Sequence, residues 1–597
     1  MIRYGGLKIK KYILIFIILF IIVNNVSYNL INIITSNFVF RWTFDIFKTI
    51  GNIKDVHFLC GNLLILFLFI LVIVKYDKSF NLKLNRSDNL PIEDGAYEYG
   101  SARWCKGKEL KKHFDVWNIN SNLPSGGVPV TYYGGKHYYD SSSAHTLIIG
   151  STGSGKSVSF IIPLIFNLAS AGESMVINDT KGELYSYTAD YLKERGYEIK
   201  IINLRDALAS DGWNPLHLPY KYYKEGNIDE AGDLIENFAS SLTQNLSSKD
   251  MYWEKSSNAV LVALCYAIIE DAERESQVNL YSIYNLLVEH GAKNIGRENS
   301  LNKYFDDRPF GNIAKNSYAT GSFAKGETRA TLFSVLATVI KMFSDIGIAN
   351  LTSRTDFELD NIGKKKTAIF LIIPDEKKSR HGLASLFIDQ CYQALVNTAQ
   401  SYGDGKMPIR TNFILDEFAN MPPISSISNK VTVSRSRNIR FYFVIQDFSQ
   451  LKETYKEEAG TIKSNCNNWV YLLTADNDTA KEISARLGKY TISTSRISTS
   501  SRLEQSDFNI SNDKSLLGRE LLTPDELMRF KFGESIFLKT RMFPIRAVSP
   551  PIQDYGFKIK KSSLPTEHKE YKIDVFNLDE YRTRQIKNEI DDLVDLE

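Results

Sequence analysis

The eight residues Gly150-Ser151-Thr152-Gly153-Ser154-Gly155-Lys156-Ser157 constrain this chain more than any other stretch. They follow a short apolar run, Thr146-Leu147-Ile148-Ile149, and precede a helix-compatible segment from Val158 to Ala169. The glycines therefore fall where a strand turns into a helix. The spacing is the complete G-x-x-x-x-G-K-[ST] pattern of a phosphate-binding loop. Glycines let successive backbone N–H groups point inward at a phosphate, and the helix that follows adds its positive end. In that arrangement Gly150 through Ser157 cradle ATP, with Lys156 reaching the β- and γ-phosphates and Ser157 ligating Mg²⁺. The alternative is a Gly/Ser-rich loop with an incidental Gly-Lys-Ser, and the strand and helix on either side argue against it.

A nucleotide site of this kind needs a second half. Asn412-Phe413-Ile414-Leu415-Asp416-Glu417 supplies one. The apolar strand delivers Asp416 to its end to hold the Mg²⁺ shell, and Glu417 beside it is placed to orient a water for attack on the γ-phosphate. Many strands end in an acid, so the signal gains its force from the intact phosphate loop. Together the two halves imply hydrolysis as well as binding.

Strand-length apolar runs recur beyond the loop, at Met175–Ile177, Ile199–Ile202, Ala368–Ile373, Phe413–Leu415, Phe441–Ile445, Val470–Leu473 and Ile536–Leu538. Helical patterns separate several of them, which predicts a mostly parallel α/β sheet covered on both faces. Before the loop, Gly126-Gly127 and Gly134-Gly135 punctuate hairpin-like segments. Between about Leu218 and Thr355 the strand signal stops, and 229–242, 256–271, 280–290 and 328–342 read as helices of an inserted all-α domain. Residues 226–355 carry 12 Lys and Arg against 16 Asp and Glu, a net −4, which argues against a general DNA clamp there.

The whole chain, 597 residues with a net charge of +3, is too long for one core and close to charge balance. Any nucleic-acid contact is therefore local or made by an assembly. Five scattered cysteines without a C-x-x-C pair exclude a disulfide framework or zinc site as the organising principle.

The N-terminal part is apolar in two blocks, about 12–34 and 57–75, each long enough to cross a bilayer. Arg3, Lys8, Lys10 and Lys11 precede the first, and Lys75, Lys78, Lys83 and Arg86 follow the second. The positive-inside rule makes this a transmembrane helix hairpin in the cell membrane with both flanks cytoplasmic. A cleaved signal peptide would put the phosphate loop outside, away from ATP, and no small-residue cleavage site follows the first block. At the other end, the acidic and lightly apolar terminus either docks a basic partner or is a solvated end. The Ser/Thr-rich stretch Thr491 to Arg502, with Arg496 and Arg502, reads as a basic surface loop able to touch a nucleic-acid backbone, or as a merely solvated one.

The order of further short motifs identifies a resemblance. Tyr99-Gly100-Ser101-Ala102-Arg103-Trp104, the phosphate loop, Asp179-Thr180-Lys181-Gly182-Glu183-Leu184, Trp213-Asn214-Pro215-Leu216, Leu415-Asp416-Glu417-Phe418, Val444-Ile445-Gln446, Leu487-Gly488-Lys489 and Leu521-Leu522-Thr523-Pro524-Asp525-Glu526 are colinear with those of a type IV secretion coupling protein. The chain is similar to the TraG/TraD-like family of such proteins from the hairpin to about residue 555. With the resemblance, the chain divides into a membrane hairpin (1–80), a RecA-like nucleotide-binding domain (81–217 and 356–555) and an all-α inserted domain (218–355), and the acidic tail (556–597) lies beyond the resemblance. The resemblance implies a homo-hexameric ATPase that hands single-stranded DNA, bound to a relaxase, and sometimes protein effectors to other type IV secretion components.

The same resemblance gives Asp179 a place near the nucleotide, although Thr180 stands where the family usually has proline. Asp179 can equally start a helix, with Thr180-x-x-Glu183 as a capping box. Gln446 is implied to sense the γ-phosphate. Arg435, in Ser434-Arg435-Ser436-Arg437, is implied to be an arginine finger that completes the neighbouring subunit's site, with Arg437 and Arg440 as alternatives. Three rivals share part of this pattern, and one of them, a coupling protein exporting proteins alone, is not separated from the DNA-transferring kind by anything in the sequence. An FtsK-like DNA translocase would share the nucleotide motifs but not the pieces outside them. A docking receptor using nucleotide only as a switch has no need of Glu417.

Overall fold

A strand covered on both faces has no solvent side, and several runs in this chain are buried at every position. β1 (Thr146–Gly150), β2 (Ser174–Asp179), β5 (Thr411–Leu415) and β6 (Ile439–Ile445) are buried along their whole lengths. With β3 (Glu198–Asn203), β4 (Thr367–Ile372), β7 (Asn468–Leu473), β8 (Glu534–Lys539) and β9 (Ile545–Val548) they form a nine-stranded sheet in the order β9-β8-β7-β1-β6-β5-β2-β4-β3. The neighbours from β7 to β3 are parallel, whereas β8 and β9 close one edge antiparallel, so the sheet is mixed. This is a computed structural model. It describes residues 29, 97–119, 121–243, 251–295, 298–374, 376, 380–500 and 509–594. The expected hairpin over 12–34 and 57–75 lies outside them apart from Asn29. Among the described residues no single helix is long and apolar enough to cross a membrane.

Two contact-defined units divide the chain, one of them comprising Tyr99–Tyr490 with Gly518–Glu597 and containing the sheet. A three-stranded antiparallel sheet, in which Lys136–Asp140 lies between Asp115–Trp117 and Val128–Tyr133, leads into β1, and the tight turn between its last two strands is Gly134-Gly135, both at positive φ. After β1 come α1 (Ile162–Ala171) and, after β2, α2 (Glu183–Glu194). Between β3 and β4 the described residues add nothing to the central sheet. They form α3 (Ile228–Thr243), α4 (Met251–Asp271), α5 (Leu280–Ala292), two short helices at Ser300–Asp306 and Ile313–Ser322, and α6 (Glu327–Ile340). α4 is buried almost continuously from Val260 to Ile269 because neighbouring helices surround it. α7 (His381–Gln400) returns the chain to the sheet.

The signature Trp213-Asn214-Pro215-Leu216 fastens this helical layer down. Trp213 Nε1 donates to Gln390 Oε1 on α7 at 3.2 Å, Gln390 Nε2 donates to the Pro215 carbonyl at 2.8 Å, and Asn214 Nδ2 donates to the Val278 carbonyl at 2.7 Å. The Tyr99–Trp104 signature has a similar structural duty. A Cβ on Gly100 would sit 2.2 Å from the Lys489 carbonyl, so only glycine permits this approach.

One expectation changes. Residues 491–500 are not a loop: Lys489–Ser500 is a strand paired with Asn509–Glu520, and the remaining expected loop residues, Ser501 and Arg502, lie outside the described residues. The alternation of Thr and Ile with small polar residues is a strand pattern, and its lack of bulk hides it. The C-terminal tail has a defined course, although the side chains of its acidic end, 589–597, lie outside the described residues. From Gly556 it runs as an irregular strap, Ser562 N donating to Ser186 O on α2 at 2.9 Å and Lys569 N to Leu208 O at 3.0 Å. Asp574 pairs with Arg274 at 3.0 Å, Asp579 pairs with Lys293 at 2.7 Å, and Phe576 and Leu578 are buried at the start of α8 (Leu578–Val594). Asp574 and Asp579 of the tail thus pair within the chain.

Candidate nucleotide site

In a parallel sheet the ends of all strands gather along one edge, and here that edge collects the polar residues. Register places Ile445 beside Ile149, and Leu415 beside both Phe443 and Asn178. The residues that follow these strands therefore emerge together: the phosphate loop after β1, Asp179 at the end of β2, Asp416-Glu417 after β5 and Gln446 after β6.

The loop turns through Gly153 and Gly155, at φ 80° and 88°, a region that favours glycine. Ser151 N donates to the Leu473 carbonyl at 2.8 Å and ties the loop to β7. Lys156–Ile161 is wound as a π-helix before α1 begins, a local widening often found at functional sites. Lys156 is buried, and its Nζ donates to the Gly150 carbonyl at 2.7 Å and to Glu417 Oε1 at 3.2 Å.

Glu417 occupies the left-handed region, φ 50° and ψ 40°, which costs a non-glycine residue about 1 kcal/mol. That conformation breaks β5 sharply, and the carboxylate ends among three donors. Besides Lys156, Gln446 Nε2 and Asn420 Nδ2 each donate to Oε2 at 3.0 Å. Asp416 is buried behind it, Oδ1 accepting from Glu417 N at 3.0 Å and its carbonyl accepting from Asn178 Nδ2. Burial, reinforced by the Glu417 carboxylate and opposed by Lys156, pushes the Asp416 carboxyl up to about 7. Asp179 is also buried and raised by that burial, and it lies near enough to Asp416 to raise it further. Its Oδ2 accepts from Tyr185 N at 2.8 Å. Asp179 thus holds the start of α2 from six residues away, while the helix itself begins at Gly182 without a side-chain cap. The expected Thr180-x-x-Glu183 box is not how this helix starts.

Asn178 and Asn420 complete the polar edge, and the sequence expectations do not include them. Each was readable by position, one immediately before Asp179 and the other three residues after Glu417.

The arginines separate cleanly. Arg440 is buried in an ion pair, donating to Glu173 Oε2 at 2.7 Å and to Asn412 Oδ1 at 2.9 Å, which removes it as a finger. Arg437 is half-buried with Nη1 on Ser436 Oγ at 3.0 Å. Arg435 is exposed, in the turn that precedes β6. β6 spans seven residues, about 20 Å, so Arg435 stands at the opposite edge of the sheet from Lys156. The chain does not bring Arg435 to its own phosphate loop.

Residues 102–550 match the family model described as type IV secretory system conjugative DNA transfer. The chain belongs to that family. The conjugal transfer protein TraG of Escherichia coli is 25% identical over 469 residues, covering 72% of this chain and 71% of the relative. Protein VirD4 of Rhizobium radiobacter is 27% identical over 443 residues, covering 72% of this chain and 60% of that one. Among solved structures, the unbound conjugative coupling protein TrwBdeltaN70 superposes with a TM-score of 0.55 at 15% identity, over 80% of this chain and 97% of its own. The plasmid coupling protein TrwB in complex with the ATP analogue ADPNP gives 0.54 at 16% identity, over 81% and 100%. At such identities the structural likeness speaks for the fold. The membership itself comes from the family match, which spans the phosphate loop, Asp416-Glu417 and Arg435 alike.

Proposed function

We propose that this chain is the ATP-hydrolysing coupling protein of a conjugative type IV secretion system, receiving a relaxase with its single-stranded DNA and driving the strand toward the channel. The observation that carries the reading is the triad of contacts Lys156–Glu417–Gln446 directly in front of Asp416, at the strand edge where the phosphate loop opens. Family membership supplies the conjugative setting, and TrwB has been solved with ADPNP and with ADP and Mg²⁺.

The residues fit the chemistry. The loop Gly150–Ser157 wraps the phosphates with its backbone N–H groups, apart from that of Ser151, which stays on the Leu473 carbonyl, and the triphosphate competes with Glu417 for the Lys156 ammonium. Glu417, released from Lys156 but still held by Asn420 and Gln446, then orients a water toward the γ-phosphate. The Ser157 hydroxyl and the Asp416 carboxylate are hard oxygen donors suited to Mg²⁺, which is bound typically by one or two carboxylates plus phosphate oxygens. Mg²⁺ held there supplies charge neutralisation at the β- and γ-oxygens. Asp179 keeps the neighbouring turn closed and adds negative charge beside Asp416. Arg435, exposed at the far edge, serves the site of the next subunit in a homo-hexamer, so that hydrolysis is coupled to subunit contact. The expected hairpin over 12–34 and 57–75 anchors the ring in the cell membrane with the nucleotide sites cytoplasmic.

The test is ATP turnover by the full-length protein with and without single-stranded DNA, beside Lys156→Ala and Glu417→Gln. DNA-stimulated turnover that both substitutions abolish, with nucleotide still bound by Glu417→Gln, is the expected result. Nucleotide binding without turnover under every condition, including those in which rings assemble, overturns the motor and leaves a nucleotide-switched docking receptor.

A further inference from the structure

Phe532 is an apolar side chain in an unusual position. It leaves 60% of its surface exposed while its ring rests on the phosphate loop. A Cβ built on Gly155 would meet Phe532 Cε2 at 2.7 Å and Cζ at 3.3 Å, so the space left by the missing side chain of Gly155 is taken by this ring. The turn that carries it is pinned from both sides: Glu534 N donates to Lys531 O at 2.9 Å, and Ser549 N donates to Gly533 O at 2.8 Å, with Gly533 at φ 84°. The neighbouring Phe530 is used differently. It is half-buried, packed edge-on to Tyr471 at 5.8 Å with Arg546 over its ring.

The sheet order assigns an end of the nucleotide to this ring. Glu417 and Gln446 follow β5 and β6, on one flank of β1, and the Lys156 ammonium points to Glu417. That flank takes the γ-phosphate, because the loop lysine reaches the β- and γ-phosphates. Phe532 precedes β8, on the opposite flank of β1 beyond β7. A nucleotide whose phosphates thread the loop toward Glu417 carries its nucleoside toward β7 and β8. The group waiting there is an open aromatic face.

We propose that Phe532 is the stacking platform for the nucleobase of the nucleotide held by the phosphate loop. A phenyl ring offers a π-face and no hydrogen bond, so its contribution is the same for adenine and guanine, since stacking tolerates any base. This rests on the reading that Gly150–Ser157 binds a nucleoside triphosphate, and it adds the residue that recognises the base.

Calorimetric titration of the full-length protein with ATP, GTP and inorganic tripolyphosphate tests it, using the wild type, Phe532→Ala and Phe532→Trp. Loss of one base–aromatic stack corresponds to about a tenfold weakening. Phe532→Ala is expected to weaken ATP and GTP about tenfold each, to leave tripolyphosphate unchanged, and to be rescued by Phe532→Trp. If ATP affinity survives Phe532→Ala, the platform does not exist. If tripolyphosphate weakens in parallel with ATP, Phe532 merely supports the loop against Gly155, and the proposal falls. A wild type that binds neither ATP nor tripolyphosphate overturns the phosphate-loop reading itself, a failure recognisable before any variant is compared.

Discussion

Asp416 offers the sharpest quantitative test, because its environment opposes its charge. Its carboxyl is raised from 3.8 to about 7, chiefly by burial and next by Glu417. The folded state therefore binds a proton that the unfolded state has released between those values, and stability falls as pH rises through that window. At 1.36 kcal/mol per unit, the full cost of ionising it in the fold is about 4 kcal/mol above pH 8. About 2 kcal/mol of that accrues between pH 5.5 and pH 8.5. Asp416→Asn removes the charge at nearly constant shape. In urea titrations of the nucleotide-free, full-length protein, the wild type should lose about 2 kcal/mol relative to the variant between pH 5.5 and pH 8.5. Mg²⁺ bound with ATP should reverse the order at pH 8.5, because the cation favours the ionised carboxylate that the variant lacks. If wild type and variant follow parallel pH curves, or if the variant gains as much stability from Mg²⁺ and ATP, then Asp416 is neither strained by burial nor part of the Mg²⁺ shell.

Three further outcomes are expected. Glu173→Ala leaves the Arg440 guanidinium buried without its carboxylate, which should cost about 3–5 kcal/mol, read as a large drop in the urea midpoint at every pH from 6 to 9. Arg435→Ala and Lys156→Ala should each be inactive alone, whereas mixing them before ring assembly should restore part of the turnover, because an intact loop from one then meets an intact arginine from the other. Mixtures that stay silent despite co-assembly would place the finger elsewhere. Phe576→Ala empties a buried aromatic site at about 3–5 kcal/mol, so hydrogen exchange should rise across 556–594 while the β5 and β6 amides remain protected.

How much was legible follows from how local each signal is. The parallel strands announce themselves because unbroken apolar runs such as Leu147–Ile149, Met175–Ile177, Phe413–Leu415 and Phe441–Ile445 lie at their centres, and the phosphate loop and Asp416-Glu417 are contiguous patterns read within a few residues. Arg440 lies five residues from Arg435 and is indistinguishable from it by composition. Its partner Glu173 stands 267 positions away, so only the folded chain separates the locked arginine from the exposed one. Asp179 illustrates a shared duty: the turn amides it accepts and its place beside Asp416 are both real, and a capping argument alone sees just the first. The strand at Lys489–Ser500 escapes because Ser and Thr dominate it, and the strap escapes because irregular backbone has no period to detect.

The strap also fixes an order of events during synthesis. Chains begin to fold from the N-terminus while the ribosome is still at work, yet the surfaces around Ser186, Leu208, Arg274 and Ser282 find their partners only in residues 562–579. Those surfaces wait uncovered until translation is nearly over. A ribosome that stops short of residue 562 releases a chain whose nucleotide loop and central sheet are whole but whose helical layer lacks the strap's contacts, with the sites of Phe576 and Leu578 left open.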